Sequence, residues 1–307
     1  MAPSLRIFLA ILTTIGMAAR CPAADEAFVI MDNTTGFILD RANADKKVPI
    51  ASLTKIATAM VVIDWSEATR NDLSQRATVP DSAATLANAG NGVGFQPGDQ
   101  VDLRDLLYAA LLQSDNQAAE TLAVHVGRAL GRSEPMVEFV SQMNALAKRL
   151  GMERTRFLNP HGLDHLERTK PYSTAADVAR LTKYAMSNAA FRFYVSQKER
   201  KITIHQPSGE QWQYQLRNTN ELLGVDGIDG VKTGMTARAG GCVVISEPKA
   251  PLTQQDGDKV NITPRRLNIV VLGSDDRFGQ ARNLLQRGWQ LYEQWAAAGR
   301  PSKWSPR

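Results

Sequence analysis

Only two cysteines occur in the 307 residues, Cys21 and Cys242, too few for a disulfide framework. Histidine is equally scarce. Of His125, His161, His165 and His205, one pair, His161 and His165, has i,i+4 spacing, but no Glu follows His161 and Gly162 argues for a loop there. The His-Glu-x-x-His signature of zinc hydrolases is absent, so no metal site is expected. No serine sits in a Gly-x-Ser-x-Gly elbow, which removes the usual setting of a Ser-His-Asp hydrolase. Past the N-terminal segment, no apolar run approaches the ~18 residues of a membrane span, so membrane contact is at most peripheral. No internal repeat is visible. The net charge of +5 and pI near 9.2 come from scattered Lys and Arg with no basic–aromatic module. Nucleic acid is therefore not the expected partner, and an anionic wall polymer or membrane surface suits the charge better.

What is present begins with a secretory pattern. Arg6 is the charged start, residues 7–19 form an apolar run, and Ala23-Ala24 offers small residues for cleavage. The expected division is a signal peptide over residues 1–24 and a single domain over 25–307. Arg20 before Cys21 disfavours lipoprotein processing. With Cys21 removed, Cys242 is left alone. At 43% hydrophobic and 22% charged residues, the remainder is ordinary for a globular enzyme.

Three short motifs then follow in order: Ser52-Leu53-Thr54-Lys55, Ser114-Asp115-Asn116 and Lys232-Thr233-Gly234. Each alone is weak, and their ordered co-occurrence is what points to serine acyl transfer. A serine hydroxyl needs a base within hydrogen-bond reach. A helix starting near Ser52, with Leu53, Ile56, Ala57, Met60 and Val61 at helical spacing, sets Lys55 beside it. Lys55 acts as a base only if burial or a second cation lowers its pKa, and Lys232 is the candidate cation. Ser114 and Asn116 fall between two apolar periodic stretches, at a helix-to-helix connection where a hydroxyl and an amide can face a cleft. Asp115 or Ser114 could equally serve only as a helix cap. The Gly-rich surroundings of Lys232-Thr233-Gly234 suit two strands, one open to close backbone approach by an extended ligand at Gly234.

At these residues the chain resembles the low-molecular-mass penicillin-binding proteins, specifically the D-alanyl-D-alanine carboxypeptidases of the peptidase S11 family. Ala51–Ile56, Phe157-Leu158-Asn159-Pro160-His161-Gly162-Leu163, Ser173-Thr174-Ala175-Ala176-Asp177 and Asp226 through Thr236 are each similar to family segments. The resemblance implies that Ser52 is the acylated nucleophile, Lys55 its base, and Ser114 the proton donor to the departing D-alanine. It implies that Asn116 binds substrate backbone, Lys232 supplies positive potential, and Thr233 and Thr236 hold the terminal carboxylate with help from Arg277. Backbone N–H groups of Ser52 and Met235 would form the oxyanion hole. The implied substrate is the peptidoglycan stem peptide, β-lactams are the implied covalent inhibitors, and the mechanism requires no cofactor. Shorter members of the family include DD-endopeptidases that cut cross-links, which leaves the bond cleaved open. A class A β-lactamase needs a Glu-directed water for deacylation. Its Glu-to-Asn pattern is missing between Ser114 and Lys232. A non-catalytic penicillin sensor would tolerate damage to the nucleophile or bases, and here they are intact.

The expected fold is α+β. Strands at residues 27–31, 37–39, 201–205, 212–216, 230–233, 241–246 and 267–273 form one antiparallel sheet flanked by helices, with an inserted helical lobe, in β-lactamase/transpeptidase manner. Residues 134–150 read as a helix, and a C-terminal amphipathic helix over 281–298 packs on the sheet through Leu284, Leu285, Trp289, Tyr292 and Trp295. Residues 250–258, with polar residues following through 266, read as a flexible hairpin excursion between strands, and 81–98 as a loop near the cleft.

Overall fold

The computed structural model describes residues 26–87, 92–131, 134–164, 169–256 and 259–305. The proposed signal peptide, Cys21 and His165 lie outside these described residues.

The first hairpin, β1 (Ala27–Asp32) and β2 (Ile38–Ala42), turns at Asp32, whose Oδ2 accepts from both the Thr35 N–H (2.8 Å) and its hydroxyl (2.6 Å). A single 3-10 turn, Ala51–Leu53, leads into α1 (Thr54–Thr69). Short strands β3 (Arg76–Thr78) and β4 (Gln100–Asp102) precede α2 (Leu103–Tyr108), which widens into a π-helical turn at Ala109–Gln113. Then come α3 (Asn116–Ala129), α4 (Pro135–Arg149), α5 (Ala175–Ser187) and α6 (Ala189–Val195). The last third holds β5 (Glu199–His205), β6 (Gln211–Arg217), β7 (Gly230–Thr236), β8 (Gly240–Asp256), β9 (Lys259–Ser274) and α7 (Arg277–Ala297).

The central sheet is antiparallel, in the order β2-β1-β9-β8-β7. It is buried on both faces, and the period-2 alternation of a strand divides its side chains between two cores. On β1, Ala27, Val29 and Met31 meet the helices, while Phe28 and Ile30 meet α7. On β9, Val270 and Leu272 face the first core and Ile269 and Val271 the second. The α7 face that the sequence indicated is buried on this sheet, including Trp289, Tyr292 and Trp295. In contrast, α1 is buried around most of its circumference, with Ile56, Ala57, Ala59, Met60, Val62 and Ile63 all inside. A helix enclosed on all sides carries whatever polar residue it bears into the interior.

The α+β architecture and the helical lobe agree with expectation, but two local readings are corrected. Strands β5 and β6 do not join the central sheet. With β3 and β4 they form a second sheet, in the order β3-β4-β5-β6, inside the helical lobe. Their alternation is one-sided: Ile202, Ile204 and Leu216 are buried while Glu199, Lys201, Gln213 and Gln215 are exposed. Such strands can cover one face of a core but cannot sit in a sheet buried on both sides. The expected hairpin excursion after Lys249 is found, but as paired ribbon rather than loose chain. β8 and β9 stay in register from Leu252↔Thr263 to Asp256↔Lys259, with one irregularity between Lys249 and Leu252. Its polarity reflects exposure, while Thr253, Val260, Ile262 and Thr263 keep strand propensity. In the segment read as a loop, residues 81–86 form a 3-10 turn, and residues 88–91 lie outside the described residues.

Candidate active site

The 3-10 turn brings Ser52 to the mouth of a cleft, and the first turn of α1 carries Lys55 underneath it. Lys55 is completely buried. Its Nζ lies 3.0 Å from Ser52 Oγ, 2.7 Å from Asn116 Oδ1 and 2.8 Å from the carbonyl oxygen of His161. Two of these three neighbours are carbonyl oxygens, which only accept. A neutral amine has two N–H bonds and one lone pair. If the two protons go to Asn116 and His161, the lone pair is left for the Ser52 hydroxyl. Burial lowers the Lys55 pKa from 10.5 to about 7, against the opposing pull of the Asp115 carboxylate. A group poised near neutrality can take a proton and give it back.

The second motif is held by the break between α2 and α3. The π turn ends with the Asp115 N–H donating to the Ala109 carbonyl (3.0 Å), and Ser114 takes a left-handed conformation, φ +66°. A non-glycine residue there is strained unless its surroundings fix it. Asp115 supplies that fixation. It caps α3 by accepting from the Ala118 N–H (2.7 Å), and its other oxygen accepts from the Val93 N–H (2.7 Å). The capping reading of Asp115 is therefore correct, and the cap orients Asn116, the first residue of α3, toward Lys55. Burial raises the Asp115 pKa, and its backbone hydrogen bonds oppose that rise.

The third motif occupies β7, which pairs with β8 from Gly230↔Ser246 to Thr236↔Gly240 and, among the described residues, has no partner strand on its other edge. The 3-10 turn bearing Ser52 lies against this strand. A β-carbon on Gly234 would stand 3.0 Å from the Ser52 backbone nitrogen and 3.2 Å from the Ile50 carbonyl oxygen, tight enough that the turn would have to shift to admit it. Lys232 is buried, with Nζ donating to the Thr233 carbonyl (3.1 Å). Its pKa is held well below the ordinary lysine value by burial first, then by Lys55 and Arg277. Of the two causes expected to lower the Lys55 pKa, burial is the one that acts, and Lys232 is depressed by burial and by Lys55 in its turn. Arg277, in the first turn of α7, donates to the Gly234 carbonyl (2.8 Å). The Thr233 hydroxyl is 2.7 Å from that of Thr219, and the Thr236 hydroxyl donates to Asp164 Oδ2 (2.7 Å). Met235, beside them, is 65% exposed.

Direct contacts join Ser52, Lys55 and Asn116 and set Ser52 against Gly234, while Lys232, Thr233, Met235 and Thr236 share that strand, Arg277 bonds to it and Ser114 lies two residues before Asn116. The segment 157–163 stood out in the sequence, but what it and Asp164 do at the site was not legible there. Asn159 accepts from the Gly162 N–H (2.7 Å) and donates to the Leu163 carbonyl (2.9 Å), which shapes a tight strap. Gly162, at φ +86°, lies so close to the Ala51 carbonyl that a β-carbon would collide with it. The strap presents His161 by its carbonyl to Lys55 and Asp164 by its carboxylate to Thr236. His161 works here through its backbone, which leaves no residue signature, and among the described residues no cluster suited to a metal ion occurs. Among the described residues, no helix is long and apolar enough to cross a membrane. Thr219, from the polar stretch Asn218-Thr219-Asn220, had no motif to mark it.

Comparison with known proteins gives the family and the fold. The D-alanyl-D-alanine carboxypeptidase family, peptidase S11, matches residues 16–253. D-alanyl-D-alanine carboxypeptidase DacC of Escherichia coli is 36% identical over 89% of this chain and 64% of that protein. A D-alanyl-D-alanine endopeptidase of Pseudomonas aeruginosa is 31% identical over 86% of this chain and 75% of its own length. The crystal structure of the Streptomyces K15 DD-transpeptidase superposes with a TM-score of 0.72 at 28% identity, over 86% of this chain and 96% of that one. The chain spans just under two thirds of the length of DacC. By sequence, by fold and by the order of its three motifs, this chain belongs to the peptidase S11 family of D-alanyl-D-alanine carboxypeptidases.

Proposed function

We propose that the chain is a serine-type D-Ala-D-Ala carboxypeptidase, which removes the terminal D-alanine from peptidoglycan stem peptides. The observation that carries this reading is Lys55 Nζ, buried 3.0 Å from Ser52 Oγ with the Asn116 and His161 carbonyl oxygens as its other neighbours. In that setting a neutral amine keeps its lone pair for the Ser52 hydroxyl. In this mechanism Ser52 Oγ attacks the carbonyl carbon of the last peptide bond and its proton passes to Lys55. Backbone N–H groups of Ser52 and Met235 hold the oxyanion, the largest electrostatic contribution in such chemistry. Ser114 delivers its proton to the leaving nitrogen and is reprotonated from Lys55, so D-alanine departs and Lys55 is neutral again. Water then attacks the Ser52 ester, returning a proton through Lys55 and releasing the shortened peptide. Asn116 holds substrate backbone, which can pair along the open edge of β7 beside Gly234. Arg277, and Lys232 in its protonated form, give that end of the cleft positive potential for the terminal carboxylate, which Thr233 and Thr236 flank. No metal or organic cofactor enters these steps.

β-Lactams are the expected covalent inhibitors, since opening the ring leaves a Ser52 ester with no Glu-directed water to clear it. The N-terminal pattern supports secretion through a signal peptide at residues 1–24, with residues 25–307 acting as one catalytic domain in the periplasm or wall space. A second reading has support in the endopeptidase of Pseudomonas aeruginosa at 31% identity. There the same site would cut a cross-link. Purified protein given a pentapeptide muropeptide and a cross-linked dimer, with products read by mass spectrometry and Ser52→Ala as control, tests both. Loss of one alanine supports the carboxypeptidase, and dimer-to-monomer conversion the endopeptidase. If neither substrate changes while Ser52 still takes up penicillin, a non-catalytic sensor replaces both.

A further inference from the structure

The hydroxyls of Thr219 and Thr233 meet at β7, that of Thr236 three residues along the strand meets Asp164 instead, and the structure gives these protons unequal freedom. Thr236 donates to Asp164 Oδ2 at 2.7 Å and accepts from the Ala239 N–H at 3.0 Å. Its one proton is committed to a buried carboxylate, and such charge-assisted bonds are the stronger kind. Thr233 is placed differently. Its Oγ1 is 2.7 Å from Thr219 Oγ1, a separation that holds a single proton, and either hydroxyl can be the donor.

Thr219 has a second acceptor within reach, the Leu112 carbonyl, 3.1 Å from its hydroxyl. Two arrangements therefore exist. In one, Thr233 donates to Thr219 and Thr219 donates to Leu112. In the other, Thr219 turns its proton to Thr233, and the Thr233 proton is free for another acceptor. Turning away does not orphan the Leu112 carbonyl, because the Thr219 backbone N–H still donates to it at 3.0 Å. The exchange costs little, since no buried acceptor loses its last partner.

The surroundings hold Thr219 where this exchange can occur. Asn218 accepts from the Asn220 N–H (2.9 Å) and donates to the Gln197 carbonyl (3.0 Å), and Asn220 donates to the Gly230 carbonyl (3.0 Å). Leu112 lies two residues before Ser114, so Thr219 also joins the wall bearing Ser114 to the strand bearing Thr233.

We propose that Thr219 is a positioning residue for substrate recognition: its hydroxyl lets Thr233 turn its proton onto the free carboxylate that ends the substrate peptide, a task from which Asp164 withholds Thr236. This rests on the acyl-transfer reading above. The carboxylate selects the second arrangement, and the two hydroxyls then point in series toward the anion, each polarising the next.

The test is a kinetic comparison of wild type, Thr219→Val, Thr219→Ser, Thr233→Val and the double valine variant on a peptide ending in D-Ala-D-Ala. Losing one such hydrogen bond corresponds to about a fivefold effect, so Thr219→Val should raise KM about fivefold with kcat nearly unchanged, as expected for binding kept through the transition state. Thr219→Ser should restore the wild-type KM. In the double variant, adding Thr219→Val to Thr233→Val should cost nothing further. An unchanged KM in Thr219→Val, a serine variant as impaired as the valine, or losses that multiply would each overturn the proposal. Thermal melts check folding, and Thr219→Ala replaces the valine should that variant not fold. A wild type inert on the peptide would count against the function reading rather than this one. The same series would then be read by the rate of covalent penicillin labelling, since penicillin carries a carboxylate too.

Discussion

The Nζ of Lys55 lies 2.8 Å from the carbonyl oxygen of His161, 106 residues further along the chain. With Asn116 Oδ1 at 2.7 Å, that carbonyl fixes which way the amine points, and burial fixes that it can be neutral near pH 7. The chemistry of Ser52 thus depends on a residue that contributes no side chain to it.

The first prediction concerns pH. If neutral Lys55 is the base, acylation of Ser52 rises with pH through about 7 and levels above it. Stability carries the same sign. Between about 7 and 10.5 the unfolded chain holds a proton on Lys55 that the folded chain has released, so folding stability rises with pH across that window and gains nothing from this group below it. Lys232, depressed by burial too, adds in the same direction. Urea titrations of wild type and Lys55→Met at several pH values check this, and an equal slope in both would refute it.

Asp115 offers a second test, because it opposes the drop in the Lys55 pKa. Removing its charge with Asp115→Asn should move the acid limb of the acylation profile to lower pH. Asp115→Ala should also strip the cap from α3 and orphan the Val93 N–H, costing roughly 2–3 kcal/mol of stability. A limb that moves up in pH, or an alanine variant as stable as wild type, contradicts the assignment.

Gly234→Ala should fold and fail. Its new β-carbon meets the Ser52 backbone at 3.0 Å and must push the nucleophile's turn away from β7. Displacements of that kind cost up to about a hundredfold in rate, and penicillin labelling of Ser52 measures the loss directly. Labelling at the wild-type rate would mean that the turn yields without consequence.

Gly162→Ala tests the strap. The added methyl collides with the Ala51 carbonyl at a backbone conformation, φ +86°, that suits glycine. Because the same strap presents the His161 carbonyl, the variant should lose both Tm and Ser52 acylation. A lower Tm with full acylation would separate the strap from the base.

Cys242 is fully buried in the sheet, and burial pushes its thiol up to about 11. Thiolate rather than thiol is the reactive form. Native protein should leave Ellman's reagent unreacted at pH 8, and one thiol of the described chain should appear on denaturation. Rapid reaction of the folded protein would contradict this packing.

The sequence by itself determined which groups do chemistry and how near neighbours meet. Three-residue spacing on a helix turn puts Lys55 beside Ser52 wherever that helix lies, and the alternation of β7 separates Lys232 from Thr233. It also marked the one-sided face of α7, since amphipathic spacing is a local property. What it could not carry was the placement of α1 in the middle of the core, because enclosure depends on what the rest of the chain packs around it. That enclosure, rather than any charge next to it in sequence, lowers the Lys55 pKa. The same limit explains β5 and β6: their exposed face was legible, but which sheet they join depends on β3 and β4, three residues each. The His161 carbonyl, the Asp164–Thr236 bond and the Thr219–Thr233 pair are long-range contacts made by backbone or by common polar residues. Such groups carry no local pattern, so only tertiary packing decides where they meet.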